Sequence, residues 1–492
     1  VTLGRPFSRV LVANRGEIAA RVARGCRAAG VASVAVYSDA DALARHVALA
    51  NDAVRIGPPP AAESYLSIPR LLAAAKETGC DAVHPGYGFL SENAGFARAV
   101  EEAGLVWIGP PPEAIEAMGS KISSRERMKA AGVPVVPGAL IPAAGTFKGI
   151  LSLGLPVVVK ASAGGGGKGM RVVSSAAELP EAISACRREA AAAFGDATVY
   201  VEKYLERPRH VEVQVFGDRH GHVVALGERE CSLQRRHQKV VEECPSPAVS
   251  PELRARLSKA AVDAARAVGY VNAGTVEFLL EPSGAFWFLE MNTRLQVEHP
   301  VTEEAFGVDL VRLQLSVAAG EPLPPLPSAP ARHAIEARVY AEDPEAGFLP
   351  QAGRILFCRE PAGPGVRVDS GLAEGQEVGV HYDPLLAKVV ASGATRDEAL
   401  GRLRNALAET VVLGVTTNIG WLRRLLGTPE VAAGRIHTGL LETLVVPGPP
   451  PPGDEVFAGA AAALSRAAAP AGVASPAAPD AFAGRFRMGG VP

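Results

Sequence analysis

The chain has 492 residues, room for about three domains at roughly 150 residues each. Hydrophobic residues make up 48% and charged residues 21%, which supplies several cores and excludes a chain disordered throughout. Lys+Arg number 50 against 52 Asp+Glu, a formal charge of -2, so a mainly electrostatic nucleic-acid or membrane-surface binder is excluded.

The opening alternates strands and helices. Val10–Ala13 is a short apolar run, a helix is predicted from about Glu17 to Ala29 with its stop at Gly30, and Val31–Tyr37 is a second strand. This β-α-β rhythm predicts a parallel, doubly wound, Rossmann-type sheet over about the first 120 residues. A dinucleotide site at its first turn is excluded, because Ala13–Glu17 holds one glycine where the fingerprint needs three. Pro134 and Pro137 mark the next boundary. A strand at Val157–Lys160, a glycine loop at Gly164–Gly169 and a strand at Arg171–Val173 follow. A helix over about Glu178–Ala193 and a return through Tyr200–Leu205 complete a piece small enough to move as a lid. Further strands are predicted at Val211–Val215 and Thr275–Leu280. Pro322–Pro330 is a connector, and His333–Val445 mixes short strands and helices as a third domain. From about Glu455 the chain is dominated by Ala, Gly and Pro and reads as a flexible tail. No internal repeat is visible. No run of about 18 apolar residues exists, so no transmembrane helix is expected. Val1–Arg9 lacks the apolar segment of a secretory signal. Cys26, Cys80, Cys186, Cys231, Cys244 and Cys358 form no C-x-x-C pair and read as reduced thiols of a cytoplasmic protein.

Four adjacent glycines, Gly164–Gly167, free the backbone to bring N–H groups to an anion, with Lys160 and Lys168 adding positive charge. The same run also fits a plain surface turn. It is not a Walker A loop, because Gly169 rather than Ser or Thr follows Lys168. A second pattern is more specific. Glu277 lies within Thr275–Leu279, Glu290 ends Phe286–Leu289, and Pro282-Ser283-Gly284 turns between them. Two carboxylates on neighbouring strands repel unless a cation lies between them. With Asn292 as a third oxygen ligand, the set suits Mg²⁺ or Mn²⁺ completed by nucleotide phosphates. Beyond it the polar residues Glu290, Asn292, Arg294, Gln296 and Glu298 fall at even positions. An extended segment would point all five to one side. The charged run Glu228–Lys239 suits a loop over an anionic substrate, or an ordinary surface. His210-x-Glu212 lacks the P-C-x-x-C of zinc deaminases.

Taken together these segments resemble the biotin carboxylases of the ATP-grasp superfamily, over about Arg9–Val445. The resemblance rests on Lys160–Met170, Gln234–Glu243, Glu290–Glu303, Ala334–Arg338 and His84–Asn93. Ala163, Lys168 and Gly274–Phe278 look more like the subunits of propionyl-CoA and methylcrotonyl-CoA carboxylases than the acetyl-CoA one. The resemblance implies a multidomain α/β and α+β fold. Its parts would be a Rossmann-like N-terminal domain (1–120), an ATP-grasp domain (121–330, lid about 134–204), a mixed α/β C-terminal domain (331–446) and a tail (447–492).

It also implies a reaction and a site. ATP and bicarbonate give carboxyphosphate, whose CO₂ carboxylates N1 of biotin on a partner protein. Lys121 and Lys160 would hold nucleotide phosphates under Gly166 and Gly167 of the lid. The hinge residues Glu202, Lys203, Tyr204 and Leu205 would border the adenine, and His210, Gln234 and His237 would touch the nucleotide. Glu277, Glu290 and Asn292 would bind two Mg²⁺ or Mn²⁺ ions. Lys239, Arg294, Gln296 and Val297 would hold bicarbonate, Glu298 would deprotonate it, and Arg338 would stabilise the biotin enolate. The implied partners are a biotinylated carrier, a carboxyltransferase subunit and a second copy in a homodimer. One departure stands out: of the Met residues only Met128 precedes a Lys, so the A-M-K-M biotinylation motif is missing. The carrier would then be a separate chain or lie past Pro492. A different ATP-grasp ligase should lack the Arg294–Glu298 row and Arg338. A silent nucleotide-binding module should have lost metal acids or the base, and all of these are present.

Overall fold

A computed structural model describes residues 7–141, 147–162, 170–236 and 238–449. Gly166, Gly167, Lys168, His237 and the Ala/Gly/Pro tail lie outside the described residues. All elements below belong to one unit, Val1–Pro447; Gly448–Pro492 form another.

The N-terminal strands are β1 (Arg9–Val12), β2 (Ala32–Ser38), β3 (Asp52–Gly57), β4 (Ala82–His84) and β5 (Val106–Trp107). They form one parallel sheet in the order β3-β2-β1-β4-β5. The predicted first helix is α1 (Gly16–Ala28), which buries Ile18, Ala19, Val22 and Cys26 at helical spacing. Strand order reverses between β1 and β4, so the loops after them meet in one crevice. Asn14 of the first loop donates through Nδ2 to the carbonyls of Pro85 and Tyr87 in the second, each at 2.7 Å. Gly86 between them has φ 65°, and a Cβ there would lie 2.9 Å from Asn14 Nδ2. Both the conformation and the close approach therefore require glycine.

The expected lid is a four-stranded antiparallel sheet. Its strands β6 (Gly138–Leu140), β7 (Val157–Ala161), β8 (Arg171–Val173) and β9 (Val199–Lys203) run in the order β6-β9-β7-β8. The helix Leu179–Phe194 packs on it through Leu179, Ile183, Cys186 and Ala190. The large sheet begins with β10 (Arg209–Gly217), β11 (Val223–Arg235), β12 (Gln238–Cys244), β13 (Asn272–Leu280), β14 (Phe286–Asn292) and β15 (His333–Tyr340). Strands Val366–Ser370 and Leu385–Gly393 complete it. The order is β14-β13-β10-β11-β12-β15, then Leu385–Gly393, then Val366–Ser370. The proline-rich run 322–330 has no regular structure. Strands on either side of it share this one sheet, because β12 pairs antiparallel with β15. All six cysteines are free thiols. Among the described residues no helix is long and apolar enough to cross a membrane.

Candidate active site

Two adjoining cavities lie between the lid strands and the large sheet. One, about 740 Å³, has apolar walls from Val158, Leu205, Leu279 and Leu289 and is bordered by Lys203 and Tyr204. The other, about 370 Å³, is lined by Lys121, Lys239, Glu277, Glu290, Asn292, Arg294, Gln296, Val297, Glu298 and Arg338. Lys160, Glu202, His210 and Gln234 line both. Every predicted site residue among those described therefore borders one continuous cleft, with an aliphatic wall at one end and dense charge at the other. Lys160 and Glu202 come from paired strands β7 and β9, and Lys160 Nζ lies 2.6 Å from the Glu202 carboxylate, which also binds Arg125. Gln234 meets His210 Nδ1 at 2.6 Å.

The hairpin of β13 and β14 places Glu277 directly opposite Glu290, as expected. Glu277 is ringed by Lys239 Nζ at 2.9 Å, His210 Nε2 at 2.8 Å, Asn292 Nδ2 at 2.7 Å and Gln296 Nε2 at 3.1 Å. Burial pushes its carboxyl up, but Lys239 and His210 overturn this and hold it well below the usual range. Glu290 shifts the other way. Burial raises it first and the charge of Glu277 second, with Lys121 opposing. Without a cation, one acid of the facing pair ionises at the expense of the other. The oxygen donors of Glu277, Glu290 and Asn292 fit a hard divalent cation, which would let both ionise.

The row after Glu290 is assembled differently from the expectation. The strand ends at Asn292, the chain bends at Arg294 and turns at Val297–Glu298, and a helix begins at His299. Period-two geometry thus ends two residues into the row. Its polar residues converge through cross-links instead. Arg294 bonds Glu92 Oε2 at 2.9 Å, Gln296 Oε1 at 2.8 Å and Asn292 Oδ1 at 3.2 Å. Glu298, fully buried, sits between Lys239 Nζ at 2.6 Å and Arg338 at 3.0 Å. Burial raises its carboxyl, but Lys239, Arg338 and Arg229 together hold it well below the usual range. Lys239 also holds Glu212 at 2.6 Å, so one ammonium neutralises parts of three carboxylates. Arg338 is further clamped by Glu242.

Three neighbours, Glu92, Glu212 and Glu242, escaped the sequence reading as site residues. Arg229 lay in the run Glu228–Lys239 expected as a loop or surface, which instead is mostly the buried strand β11 and the start of β12. The buried polar alternation His210, Glu212, Gln214 along β10 was the available signal for Glu212. Arg229 has 0% exposure and donates to Glu212, Gln214, Thr302 and Thr275. Arg229→Met would leave Glu212 buried with one cation fewer. It is expected to cost about 3–5 kcal/mol of stability, read from denaturant midpoints.

Fold and site together define a multidomain α/β protein built around a cleft with a larger cavity walled partly by aliphatic side chains and a smaller, densely charged one. Residues 6–115 match the family model "Biotin carboxylase, N-terminal domain", residues 120–326 "Carbamoyl-phosphate synthase L chain, ATP binding domain" and residues 336–443 "Biotin carboxylase C-terminal domain". The biotin carboxylase of Allochromatium vinosum is 50% identical over 445 residues, 89% of this chain and 99% of that protein. The mitochondrial methylcrotonoyl-CoA carboxylase subunit alpha of Arabidopsis thaliana is 51% identical over 451 residues, and the chain spans 60% of its length. Among solved structures, biotin carboxylase from Campylobacter jejuni in a β-γ-ATP complex superposes with TM-score 0.86 at 41% identity, covering 89% of this chain and 99% of that one. The biotin carboxylase domain dimer of the 2-oxoglutarate carboxylase of Hydrogenobacter thermophilus, with MgADP, ADP and bicarbonate, gives 0.85 at 44%, covering 89% and 98%. The chain belongs to the biotin carboxylase family.

Proposed function

We propose that this chain carboxylates biotin on a carrier protein, using ATP and bicarbonate, as the first half-reaction of an acyl-CoA carboxylase. The observation that carries the reading is Glu298: an ionised, buried carboxylate between Lys239 and Arg338, in the same cleft as the facing pair Glu277 and Glu290. The apolar end takes the adenine beside Tyr204 and Leu205, with Lys160, His210 and Gln234 directing the phosphates towards the charged end. Lys121, which lines the charged cavity, adds to that positive field. Mg²⁺ or Mn²⁺ held by Glu277, Glu290 and Asn292 would neutralise phosphate charge.

Bicarbonate is a weak nucleophile that must lose its proton as it attacks phosphorus. Lys239, Arg294, Gln296 and the Val297 backbone hold the anion, and Glu298 accepts the proton. The bicarbonate oxygen bonds to the γ-phosphorus, the bond to ADP breaks, and carboxyphosphate results. It separates into CO₂ and phosphate. The phosphate just released takes the N1 proton of biotin, Arg338 offsets the enolate charge without titrating, and N1 bonds to CO₂. The domain limits given above, the carboxyltransferase partner, the homodimer and a cytoplasmic setting belong to the same proposal. The free thiols support the last, and the dimeric Hydrogenobacter domain supports the homodimer. Purified protein should hydrolyse ATP slowly with bicarbonate alone and faster when free biotin or a biotinylated carrier is added. Stimulation by an unrelated amine or carboxylate, and none by biotin, would assign it to another ATP-grasp branch.

A further inference from the structure

The turn that carries Glu298 has left the β14 ladder, so other groups must hold its backbone. The Gln296 carbonyl is met by His299 Nδ1 at 2.7 Å, and the Glu298 carbonyl accepts from Val301 N–H at 3.3 Å in the following helix. The Val297 carbonyl between them accepts from the ammonium of Lys388, at 2.8 Å. Lys388 is 0% exposed. It stands on the strand Leu385–Gly393, directly across from Arg338 on one side and Asp369 on the other. Across-strand partners share a face, so Arg338 and Lys388 reach the same turn side by side, one to the Glu298 carboxylate and one to the Val297 carbonyl. Lys388 is anchored from behind by Glu17 of α1 at 3.1 Å and by Asp369 at 3.8 Å. Glu17 in turn accepts from the Tyr87 hydroxyl, in the loop that follows β4.

We propose that Lys388 is a positioning residue for the bicarbonate step: its bond to the Val297 carbonyl sets the Val297–Glu298 peptide, and Glu17 with Tyr87 ties that bond to the N-terminal crevice. A fully desolvated ammonium on a backbone carbonyl is a strong, charge-assisted bond. Losing it frees the one turn whose two residues face the anion. Displacements of about 1 Å at reacting groups cost up to about 10²-fold in rate.

The inference rests on the biotin carboxylation reading, so the parent must first show bicarbonate-dependent turnover; its absence would count against that reading instead. Lys388→Met alone strands Glu17, so the decisive variant is the double Lys388→Met, Glu17→Gln, which removes the ammonium and its nearer counter-charge together, while Asp369 keeps its pairing with Arg367. Melting temperature and nucleotide titration check the fold. The expected result is a fall of about 10–10²-fold in kcat/KM for bicarbonate. Nucleotide affinity and bicarbonate-independent hydrolysis should stay within about twofold of the parent. Lys388→Arg, which retains a donor, should recover part of the loss, and Glu17→Gln alone should lose less than the double. Parental kcat/KM for bicarbonate in the double would overturn the proposal. So would an equal loss in Glu17→Gln alone, or an equal fall in nucleotide affinity, which would mark a merely structural role. If the double does not fold, Lys388→Arg and Glu17→Gln decide by the same comparison: bicarbonate kinetics unmoved by both would overturn it.

Discussion

Glu298→Gln is expected to lower bicarbonate-dependent ATP turnover by about 10²–10⁴-fold while nucleotide binding stays nearly unchanged. Glutamine keeps the length and can still face Lys239 and Arg338, at 2.6 and 3.0 Å in the parent, but it cannot take a proton. Lys160, His210 and Gln234, the proposed nucleotide contacts, stand on other strands and should not move. Burial alone would favour the neutral acid, and it loses here to Lys239, Arg338 and Arg229. The proposed base is thus held in its ionised form before substrate arrives. Because its pKa is depressed in the fold, the stability it contributes is present above the ordinary carboxylate range and is lost only on acidification below it. An acid limb of the pH–rate profile above about pH 5 must then belong to another group. Steady-state kinetics beside nucleotide titration makes the test; a loss under about tenfold would remove Glu298 from the role of base.

Glu290→Gln should be nearly as severe and differ in kind. A divalent cation contributes several kcal/mol to phosphoryl transfer, and about 1.4 kcal/mol is a factor of ten, so a fall of about 10²-fold or more is expected. The fold should not suffer. The carboxyl of Glu290 is raised by burial and by Glu277 opposite, so with no cation its ionised form is unfavourable. Its folded-state pKa lies above its unfolded value, so the parent loses stability as pH rises through that interval. Glutamine removes this cost, and the metal-free variant should melt at or above the parent's temperature at neutral pH. Raising Mg²⁺ should recover part of the turnover. Parental activity at ordinary Mg²⁺, or a clear drop in melting temperature, would show that Glu290 is a structural acid.

Local pattern made much of the frame legible. Alternation of short apolar runs with a helix ending near Gly30 described the N-terminal sheet, because parallel strands buried on both faces read as near-continuous apolar stretches. The turn at Pro282-Ser283-Gly284 between two apolar runs was enough to place Glu277 opposite Glu290. The polar residues from Glu290 to Glu298 do line one cavity, but not along one strand face. Strand periodicity says nothing about where a strand stops, and here the helix at His299–Phe306 takes over. Glu92 and Glu242 could not be found by pattern, since each acts on a residue about 200 or about 100 positions away.

The roles of anion holder and proton acceptor came only from the resemblance; what the residues by themselves determined was a pair of facing acids suited to a cation and a row of acid, amide and guanidinium side chains. These are matters of residue type and short spacing, where a side chain's charge and reach are intrinsic. Only the tertiary structure decided that the strands after His333 extend the sheet of β10–β14. It also decided that Lys239, Arg338 and Lys388 converge on one turn, and that Glu298 is ionised while Glu290 resists ionisation. The physical reason is that a pKa and a cross-strand partner depend on which charges the fold brings together and how far it removes them from water. Neither quantity is a property of a residue or of its neighbours along the chain.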